Sequence, residues 1–445
     1  MKILIITTGS GDSFYCGNCL RDNTYARALL AQKHDVTLMP LYLPVQEVAP
    51  ANNRTEGSKQ APLFFGAVAF FVSQQWFRNR GLPAWLEKWL NRPVFLRLAA
   101  RMAGSTRVKG LEEHTLSMIE GRNGSFLQEA EKLIEWIETD LPEVIHLSNT
   151  LIIGLAPLLK KRLKVPVVCS LQDEDTWIDL MEEPYRSRAW QGILNNCRYV
   201  DGLVTPSHFY KQKMEAKLPG IGPISVVPTG WAEKPLFAAT PDGNLPAPFQ
   251  TGAKALDPPV IGFLSRMNEP NGLDILAEAF VLLKQKGTLP QLRLHVAGGS
   301  THDDASFIKR VRNILAPYAH SVSIEEGDFL HTDKAKFLLN VSVLSVPLRF
   351  EEAFGLYLCE GFAAGTPAVQ PDTGSAPEIV GGAGVVYSPN TAQQLASQLE
   401  ALLSGKERFR AMQAEALAVT ENRFGTLAMA GALERFYRES IEKLQ

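Results

Sequence analysis

Short runs of β-branched and other apolar residues alternate with helical patterns along nearly the whole chain. Most of these runs are apolar without polar alternation, which is typical of parallel strands that are covered on both faces. Strands that alternate with helices in this way predict crossover connections and a doubly wound α/β fold. The predicted strands are residues 2–7, 36–41, 144–147, 166–170, 202–205, 225–228, 260–264, 292–297, 322–325, 341–346, 367–370 and 384–387.

The length of 445 residues is too great for one ordinary core and predicts at least two domains. The alternation fails between Thr229 and Pro259, where prolines surround a Pro-Asp-Gly turn. We therefore predict an N-terminal domain over residues 1–235, a linker over 236–258 and a C-terminal domain over 259–423.

One segment fits neither half, because residues 62–101 interleave aromatic and apolar side chains with arginines. We interpret it as part of a helical insertion, over about residues 62–120, that packs on the N-terminal domain, since insertions usually bury their apolar residues on their own domain. An interfacial membrane helix and a lid over an acceptor pocket are the alternatives.

Charge and cysteine content narrow the function classes. The chain has 45 basic and 47 acidic residues, a formal charge of -2, which argues against a nucleic-acid partner. No stretch reaches the roughly 18 apolar residues of a membrane-spanning helix, and the opening apolar run is too short for a signal peptide. Five scattered cysteines form no disulfide framework. We expect a cytoplasmic protein, with peripheral contact at the inner face of the membrane as an alternative.

The most informative window is residues 341–380. A buried strand is followed by a charged loop and by a short helix that opens near Gly355 and ends at Gly365. The amides of Phe354, Gly355 and Leu356 then lie at a helix N-terminus, where unpaired N–H groups and the helix dipole favour a diphosphate. Glycine at 355 lets a ligand approach the backbone closely.

Two carboxylates belong to this window, with Glu352 before the helix and Glu360 within it. A carboxylate accepts two hydrogen bonds from a vicinal diol, a geometry that suits both a sugar ring and a ribose. The apolar neighbours of Glu360 indicate a buried helix, in which a lone charge needs a reason. The alternative is that Glu360 is an ordinary solvated helix residue.

The pattern Glu352-(seven residues)-Glu360, followed by GFAAGTPAVQPDTGSAPEIV, resembles the signature of the family 4 retaining glycosyltransferases. The resemblance implies the GT-B fold, two Rossmann-like doubly wound domains facing a cleft, with the C-terminal helix of about residues 424–445 joining the first domain. It also implies a nucleotide-sugar-dependent enzyme of the hexosyltransferase type. By resemblance Glu352 holds the transferred sugar, Glu360 holds the nucleotide ribose, and the amides of residues 354–356 hold the phosphates.

The resemblance extends to VIGFLSRMNEPNGLDILAEAFVLL. There Arg266 matches the arginine that neutralises the donor diphosphate, a task that suits a planar guanidinium. Asn271 stands where the family has a lysine, which removes one positive charge, and Arg349 is the candidate to supply it. A nucleotide-sugar-binding protein with weakened catalysis therefore remains an alternative, as does a GT-B epimerase.

The N-terminal half resembles the family in LLAQKHDVTL, EVIHLSNTLIIGLAPLL and VVPTG. Gly17 follows the first strand, as in the glycine-rich loop that faces the donor in the family, although a plain turn is the alternative. His146 closes a strand where the family often has a histidine facing the cleft, and a hydrogen-bonded core histidine is an equal alternative. Gln172 sits where many relatives carry a histidine.

The resemblance further implies catalysis without a metal, because cationic side chains take its place, so we expect no metal and no cofactor. The expected partners are a UDP-, GDP- or ADP-sugar donor and a sugar, lipid-linked or small-molecule acceptor. Cys16 and Cys19 form a CxxC pair at a strand-to-helix junction, the layout of a thioredoxin-type redox site. We expect inert thiols that shape the loop, with a thiol-redox protein as the alternative.

Overall fold

A computed structural model of the protein describes residues 1–8, 17–41, 110–122, 124–230, 258–327 and 331–443. The described chain forms two compact units, residues 1–227 with 429–445, and residues 228–428. The linker predicted at 236–258 lies outside the described residues except for its last residue. The predicted insertion lies outside them as far as residue 109.

The first unit contains a parallel sheet of six strands in the order β2-β1-β3-β4-β5-β6. Its strands are β1 (Lys2–Thr7), β2 (Asp35–Pro40), β3 (Val144–Leu147), β4 (Val167–Ser170), β5 (Gly202–Thr205) and β6 (Ile224–Val226). The α-helices between them are α1 (Gly17–Ala31), α2 (Glu112–Glu120), α3 (Gly124–Glu138), α4 (Ala156–Arg162), α5 (Asp175–Ile178), α6 (Tyr185–Cys197) and α7 (His208–Lys217).

The second unit contains another parallel sheet of six strands, in the order β12-β11-β10-β7-β8-β9. Its strands are β7 (Val260–Leu264), β8 (Arg293–Gly298), β9 (Val322–Glu326), β10 (Val343–Leu344), β11 (Ala368–Pro371) and β12 (Gly384–Tyr387). The α-helices that follow its first strand are α8 (Leu273–Lys286), α9 (Ala305–Leu315), α10 (His331–Leu339), α11 (Leu356–Ala363), α12 (Ala376–Val380), α13 (Ala392–Ser404) and α14 (Lys406–Asn422).

Both sheets reverse their strand order once, which makes each unit doubly wound. The first sheet reverses between β1 and β3, and the second between β7 and β10. In sheets of this kind, ligands bind outside the carboxyl ends of the strands at the point of reversal. The topology therefore predicts that ligand-binding sites are formed by the residues that follow β1, β3, β7 and β10.

Strand β10 is shorter than the predicted run of residues 341–346, although all six residues are buried. The amide of Ser342 donates to the carbonyl of Val260, and the amide of Ser345 donates to the carbonyl of Gly262. Backbone pairing with β7 thus continues on both sides of the regular ladder. The apolar run therefore predicted the position of this central strand and overestimated the length of its regular part.

The last helix, α15 (Thr426–Glu442), packs in the first unit. Its buried face meets β5 at Gly202, where an added Cβ would lie 2.8 Å from Ser440 Oγ and 2.9 Å from the ring of Phe436. Glycine at 202 thus permits the helix to approach the sheet. Within the described residues, no helix has both the length and the hydropathy that crossing a membrane requires.

The two ends of α8 allow a direct test of the packing between the loops after β7 and β10. Gly272 and Gly287 cap this helix, and both have φ of 73°. An added Cβ would lie 1.9 Å from the carbonyl oxygen of Pro347 at Gly272, but would meet nothing within 4 Å at Gly287. We expect Gly287→Ala to cost about 1 kcal/mol through backbone strain. Gly272→Ala should cost a further 1–3 kcal/mol or more, roughly the cost of overpacking.

Urea denaturation of the two alanine variants measures this difference. Because the two glycines share a backbone conformation, Gly287→Ala is the control for the strain alone. Equal midpoints for the two variants would contradict the close packing of Gly272 against Pro347.

Candidate functional site

Loops from three strands meet at the carboxyl edge of the second sheet. After β10, the amide of Arg349 donates to the carbonyl of Pro270, in the loop after β7, at 2.8 Å. The amide of Ser375, after β11, donates to the carbonyl of Glu352 at 3.0 Å. The chain segments that carry Arg266 and Glu352 are therefore held together at the point where the strand order reverses.

Arg266 lies two residues beyond the end of β7, and its side chain is 22% exposed. Its Nε and Nη2 donate to Oδ2 of Asp304 at 3.1 Å and 2.9 Å, and Nη2 also donates to Oγ1 of Thr301 at 3.0 Å. The Asp304 carboxylate also closes a capping box with Thr301. This arrangement fixes the guanidinium and offsets part of its charge.

Asn271 occupies the position where the family resemblance implies a lysine, and it is 8% exposed. Its side-chain Nδ2 donates to Oγ of Ser265 at 2.9 Å and to the carbonyl of Arg266 at 2.9 Å. Its backbone amide donates to Oδ1 of Asn268 at 3.1 Å. The side chain braces the loop that carries Arg266. The departure from the family pattern thus has a structural role in this chain.

Arg349, the candidate to replace the missing lysine charge, forms a two-point ion pair with Asp274. Its Nη1 lies 2.8 Å from Oδ1 and its Nη2 lies 2.9 Å from Oδ2. The hydrogen bonds to Asp274 are the main reason that the pKa of Arg349 is raised. Nη1 also donates to the carbonyl of Glu269. The side chain thereby holds the loop after β10 against the start of α8. The carboxylate of Asp274 offsets part of its positive charge.

Glu352 is half-buried, and the hydroxyl of Tyr357 donates a hydrogen bond to its carboxylate. Burial, followed by the charge of Glu352, raises the pKa of Tyr357 well above its usual value, so this phenol stays a donor. A Cβ at Gly355 would lie 3.3 Å from Oε2 of Glu352. Glycine at 355 therefore leaves room for the carboxylate, and Tyr357 orients it.

Helix α11 begins at Leu356, directly after the loop residues Phe354 and Gly355. The amide of Leu356 donates to the carbonyl of Phe354 at 3.1 Å. The ring of Phe354 packs edge-to-face on Phe424, with the ring centroids 5.8 Å apart. The predicted row of amides thus lies at the N-terminus of an eight-residue helix, and one of them, that of Leu356, already donates a hydrogen bond within the loop.

Glu360 lies in α11 and is 3% exposed, so the alternative of a solvated helix residue is wrong. Its Oε1 lies 2.7 Å from Nζ of Lys334, a residue of α10 that is 2% exposed. Sequence reasoning missed Lys334. The available signal was its spacing of three, four and seven residues from the apolar positions 337, 338 and 341, which places it on the buried face of α10.

In the first unit, His146 lies within β3 and is 1% exposed. Its Nδ1 lies 2.7 Å from the hydroxyl of Tyr437, and its Nε2 lies 2.8 Å from Oγ of Ser170. Burial and, next, the charge of Arg21 lower its pKa to about 3. These contacts are those of a neutral, hydrogen-bonded core histidine.

Gly17 is the first residue of α1. Close by in sequence, Asp22 accepts a hydrogen bond from Oγ1 of Thr7 at 2.7 Å, which ties α1 to the end of β1. Nε2 of Gln172 also donates to Asp22, at 3.5 Å, from the loop after β4. The first half of α1 is thereby held at the carboxyl edge of the first sheet.

Cys16 lies outside the described residues, and the side chain of Cys19 is not described, so the redox alternative stays open. Cys169, Cys197 and Cys359 are buried, and burial raises the pKa of each thiol, to about 12 for Cys197. Such thiols are poor nucleophiles. Among the residues that the structure describes, no group of three His, Cys, Asp or Glu side chains is placed to hold a metal ion.

Residues 258–405 match the family model described as Glycosyl transferases group 1. The matched residues lie within the second unit. A D-inositol 3-phosphate glycosyltransferase of Corynebacterium aurimucosum is 28% identical over 189 residues, which cover 41% of this chain and 43% of that relative. The chain spans less than half the length of the curated relatives that it matches.

Two solved structures share the fold over nearly the whole chain. Sucrose-phosphate synthase of Thermosynechococcus elongatus has a TM-score of 0.68 and 16% identity, and the match covers 100% of both chains. Anabaena HepE in complex with UDP has a TM-score of 0.62 and 16% identity, with 98% of this chain and 99% of that chain covered. With its two parallel sheets, the protein has the predicted GT-B fold.

A double-mutant cycle on the buried ion pair tests whether Lys334 and Glu360 depend on each other. Lys334→Met and Glu360→Gln each leave a buried charge without its ionic partner, so each should cost about 3–5 kcal/mol of unfolding free energy. Chemical denaturation of the double variant should show a cost well below the sum of the two. Additive costs would contradict the pairing.

The pKa of His146 predicts a specific acid sensitivity. Its folded-state pKa of about 3 lies below the ordinary histidine value of 6.5, so the unfolded chain binds the additional proton. The histidine therefore contributes stability that is fully present above pH 6.5 and is lost as the pH falls towards 3. Between about pH 7.5 and about pH 5 the loss should be on the order of 2 kcal/mol.

Urea denaturation at the two pH values measures this contribution. His146→Gln should be destabilised at neutral pH but should lose about 2 kcal/mol less than the unmodified protein on acidification. His320→Gln, at an exposed position, is the control and should leave the pH-dependence unchanged. An unchanged pH-dependence in His146→Gln would show that this ring is not a neutral core group.

Proposed function

We propose that the protein is a retaining glycosyltransferase that moves a sugar from a nucleotide-sugar donor to a hydroxyl group of an acceptor. One observation carries the proposal. The loops that bear Arg266 and Glu352 touch at the strand reversal of a unit that matches the glycosyl transferases group 1 family. This is the edge at which doubly wound sheets bind ligands.

The donor diphosphate is the leaving group, and its growing charge needs stabilisation that is already in place. In the proposed complex, Arg266 and the N-terminus of α11 provide this stabilisation, with Phe354 and Gly355 contributing backbone amides. Thr301 and Asp304 fix the guanidinium in position. We propose that no metal takes part, because cationic and amide groups meet the phosphate charge.

In this proposal, Glu352 accepts hydrogen bonds from a diol of the transferred sugar, and Glu360 accepts them from the diol of the ribose. The hydrogen bond from Tyr357 orients the Glu352 carboxylate towards the transferred sugar. Lys334 pairs with Oε1 of Glu360 and thereby fixes the carboxylate that would accept hydrogen bonds from the ribose hydroxyls. Both acids are therefore held by their own chain in defined positions, which lowers the entropy cost of binding.

A UDP-sugar is the first donor to test, because the HepE structures are described as complexes with UDP and with UDP-glucose. GDP- and ADP-sugars remain in the proposed class. The acceptor is a sugar, a lipid-linked sugar or a small hydroxyl compound. We propose a cytoplasmic site of action, with peripheral membrane contact where the acceptor is lipid-linked.

Substitution of one acid tests the proposed catalytic role. Glu352→Gln keeps the shape of the side chain and removes its charge, so sugar transfer and donor hydrolysis should fall by about 10²–10³-fold. The thermal shift produced by UDP should stay within about twofold, because the nucleotide is held elsewhere. The measurement is release of UDP from UDP-glucose, with the anomeric configuration of the product followed by NMR.

The neighbouring exposed residue supplies a matched control, since Glu351→Gln makes the same chemical change. Equal activity of the two variants would contradict the role of Glu352.

The variant Asn271→Lys tests the alternative of a nucleotide-sugar-binding protein with weakened catalysis. A large gain in UDP release over the unmodified protein would favour that alternative. We expect no such gain, since the side-chain amide of Asn271 holds the loop that carries Arg266 in place.

A further inference from the structure

Arg21 is a buried cation in the first unit that the proposed donor chemistry does not use. It lies in α1 and is 5% exposed. No hydrogen-bond acceptor reaches its Nε or Nη2, and no ion pair of Arg21 occurs among the described residues. Burying an unpaired charge costs several kcal/mol, so a chain that keeps one needs a compensating contact.

The surroundings place Arg21 at the carboxyl edge of the first sheet. Tyr25 lies one helical turn further along α1, on the same face, and stacks on the ring of His146 with centroids 6.4 Å apart. The charge of Arg21 contributes to the lowered pKa of His146. Asp22, the next residue, is bound by Thr7 at the end of β1. Arg21 therefore lies beside the reversal between β1 and β3, where a doubly wound sheet binds ligands.

The polar groups nearby do not neutralise this guanidinium. The Asp22 carboxylate accepts hydrogen bonds from Thr7 and from Gln172. Both ring nitrogens of His146 have partners, and its low pKa keeps the ring uncharged. Asp22 keeps its negative charge, but among the described residues no ion pair joins its carboxylate to Arg21, whose Nε and Nη2 stay without an acceptor at the first unit's strand reversal.

We propose that Arg21 binds an oxyanion, a phosphate or a carboxylate, carried by the acceptor substrate. A planar guanidinium gives such groups two parallel hydrogen bonds, which also fix their orientation. The assignment to the acceptor rests on the proposed function, in which the donor binds in the second unit. The acceptor class is then a phosphorylated or acidic sugar or polyol, rather than a neutral one.

Thermal shift of the full chain at constant ionic strength tests the site, with inorganic phosphate as the first probe and sodium chloride as the salt control. Phosphate should raise the Tm of the unmodified protein saturably. Arg21→Met should lose at least about nine-tenths of this shift and should keep its UDP shift. Without phosphate, Arg21→Met should be at least as stable as the unmodified protein, because an unpaired buried charge is gone. Arg198→Met, at an exposed position, is the matched control.

Glucose 6-phosphate, glucuronate and glucose then distinguish a phosphate ester, a carboxylate and a neutral acceptor. At least one of the two anionic sugars should give an Arg21-dependent shift that glucose does not give. A phosphate response that survives Arg21→Met overturns the inference, and so does a large loss of stability without phosphate, which would make Arg21 structural. Weakened UDP binding in Arg21→Met would assign the anion to the donor and overturn it too.

The two proposals fail in different ways. A chain that binds UDP but gives no Arg21-dependent anion shift contradicts the acceptor site alone. A chain that binds phosphate through Arg21 but neither binds nor hydrolyses any nucleotide sugar contradicts the glycosyltransferase proposal and, with it, the assignment of this anion to an acceptor.

Discussion

The approach of Gly272 to the carbonyl of Pro347 is the constraint on which the second unit's site depends. The distance leaves no space for a side chain, and the left-handed backbone at Gly272 turns the chain directly into α8. The loop after β7 is thereby pressed against the loop after β10. Arg266 and Glu352, which lie 86 positions apart in the sequence, share one edge of the sheet because of this contact. Close packing of this kind makes the relative position of two loops a property of the backbone.

Charge in this unit is organised as pairs of cation and acid. Arg266 is paired with Asp304, Arg349 with Asp274, and Lys334 with Glu360. Such pairing holds each side chain in one orientation and lowers the net field that an incoming anion meets. In the proposed complex, a donor diphosphate therefore competes with Asp304 for the guanidinium of Arg266. Pairing favours positional accuracy over raw attraction, which suits the proposed function, in which a charged nucleotide is released after each turnover.

Much of the fold was readable from the sequence. The predicted strands at residues 144–147, 202–205, 260–264 and 384–387 agree with the structure at both ends, because each is a short buried apolar run between clear helical segments. The local sequence pattern also predicted helix α11 and the burial of Glu360. The partners of the site residues did not, since Lys334 and Asp304 are brought to Glu360 and Arg266 by tertiary folding across 26 and 38 residues. No sequence pattern singled out Arg21, and only the fold shows that it is buried.

The hydrogen bond between Tyr437 and His146 joins residues 291 positions apart within one unit. Helix α15 fills part of the first unit's interior, with Leu433 and Tyr437 fully buried. The ribosome therefore releases this unit's strands long before it makes the helix that covers them. Residues 228–428 separate the strands of the first unit from this helix in the sequence. The first unit therefore cannot complete its native packing until the whole second unit and α15 have been made.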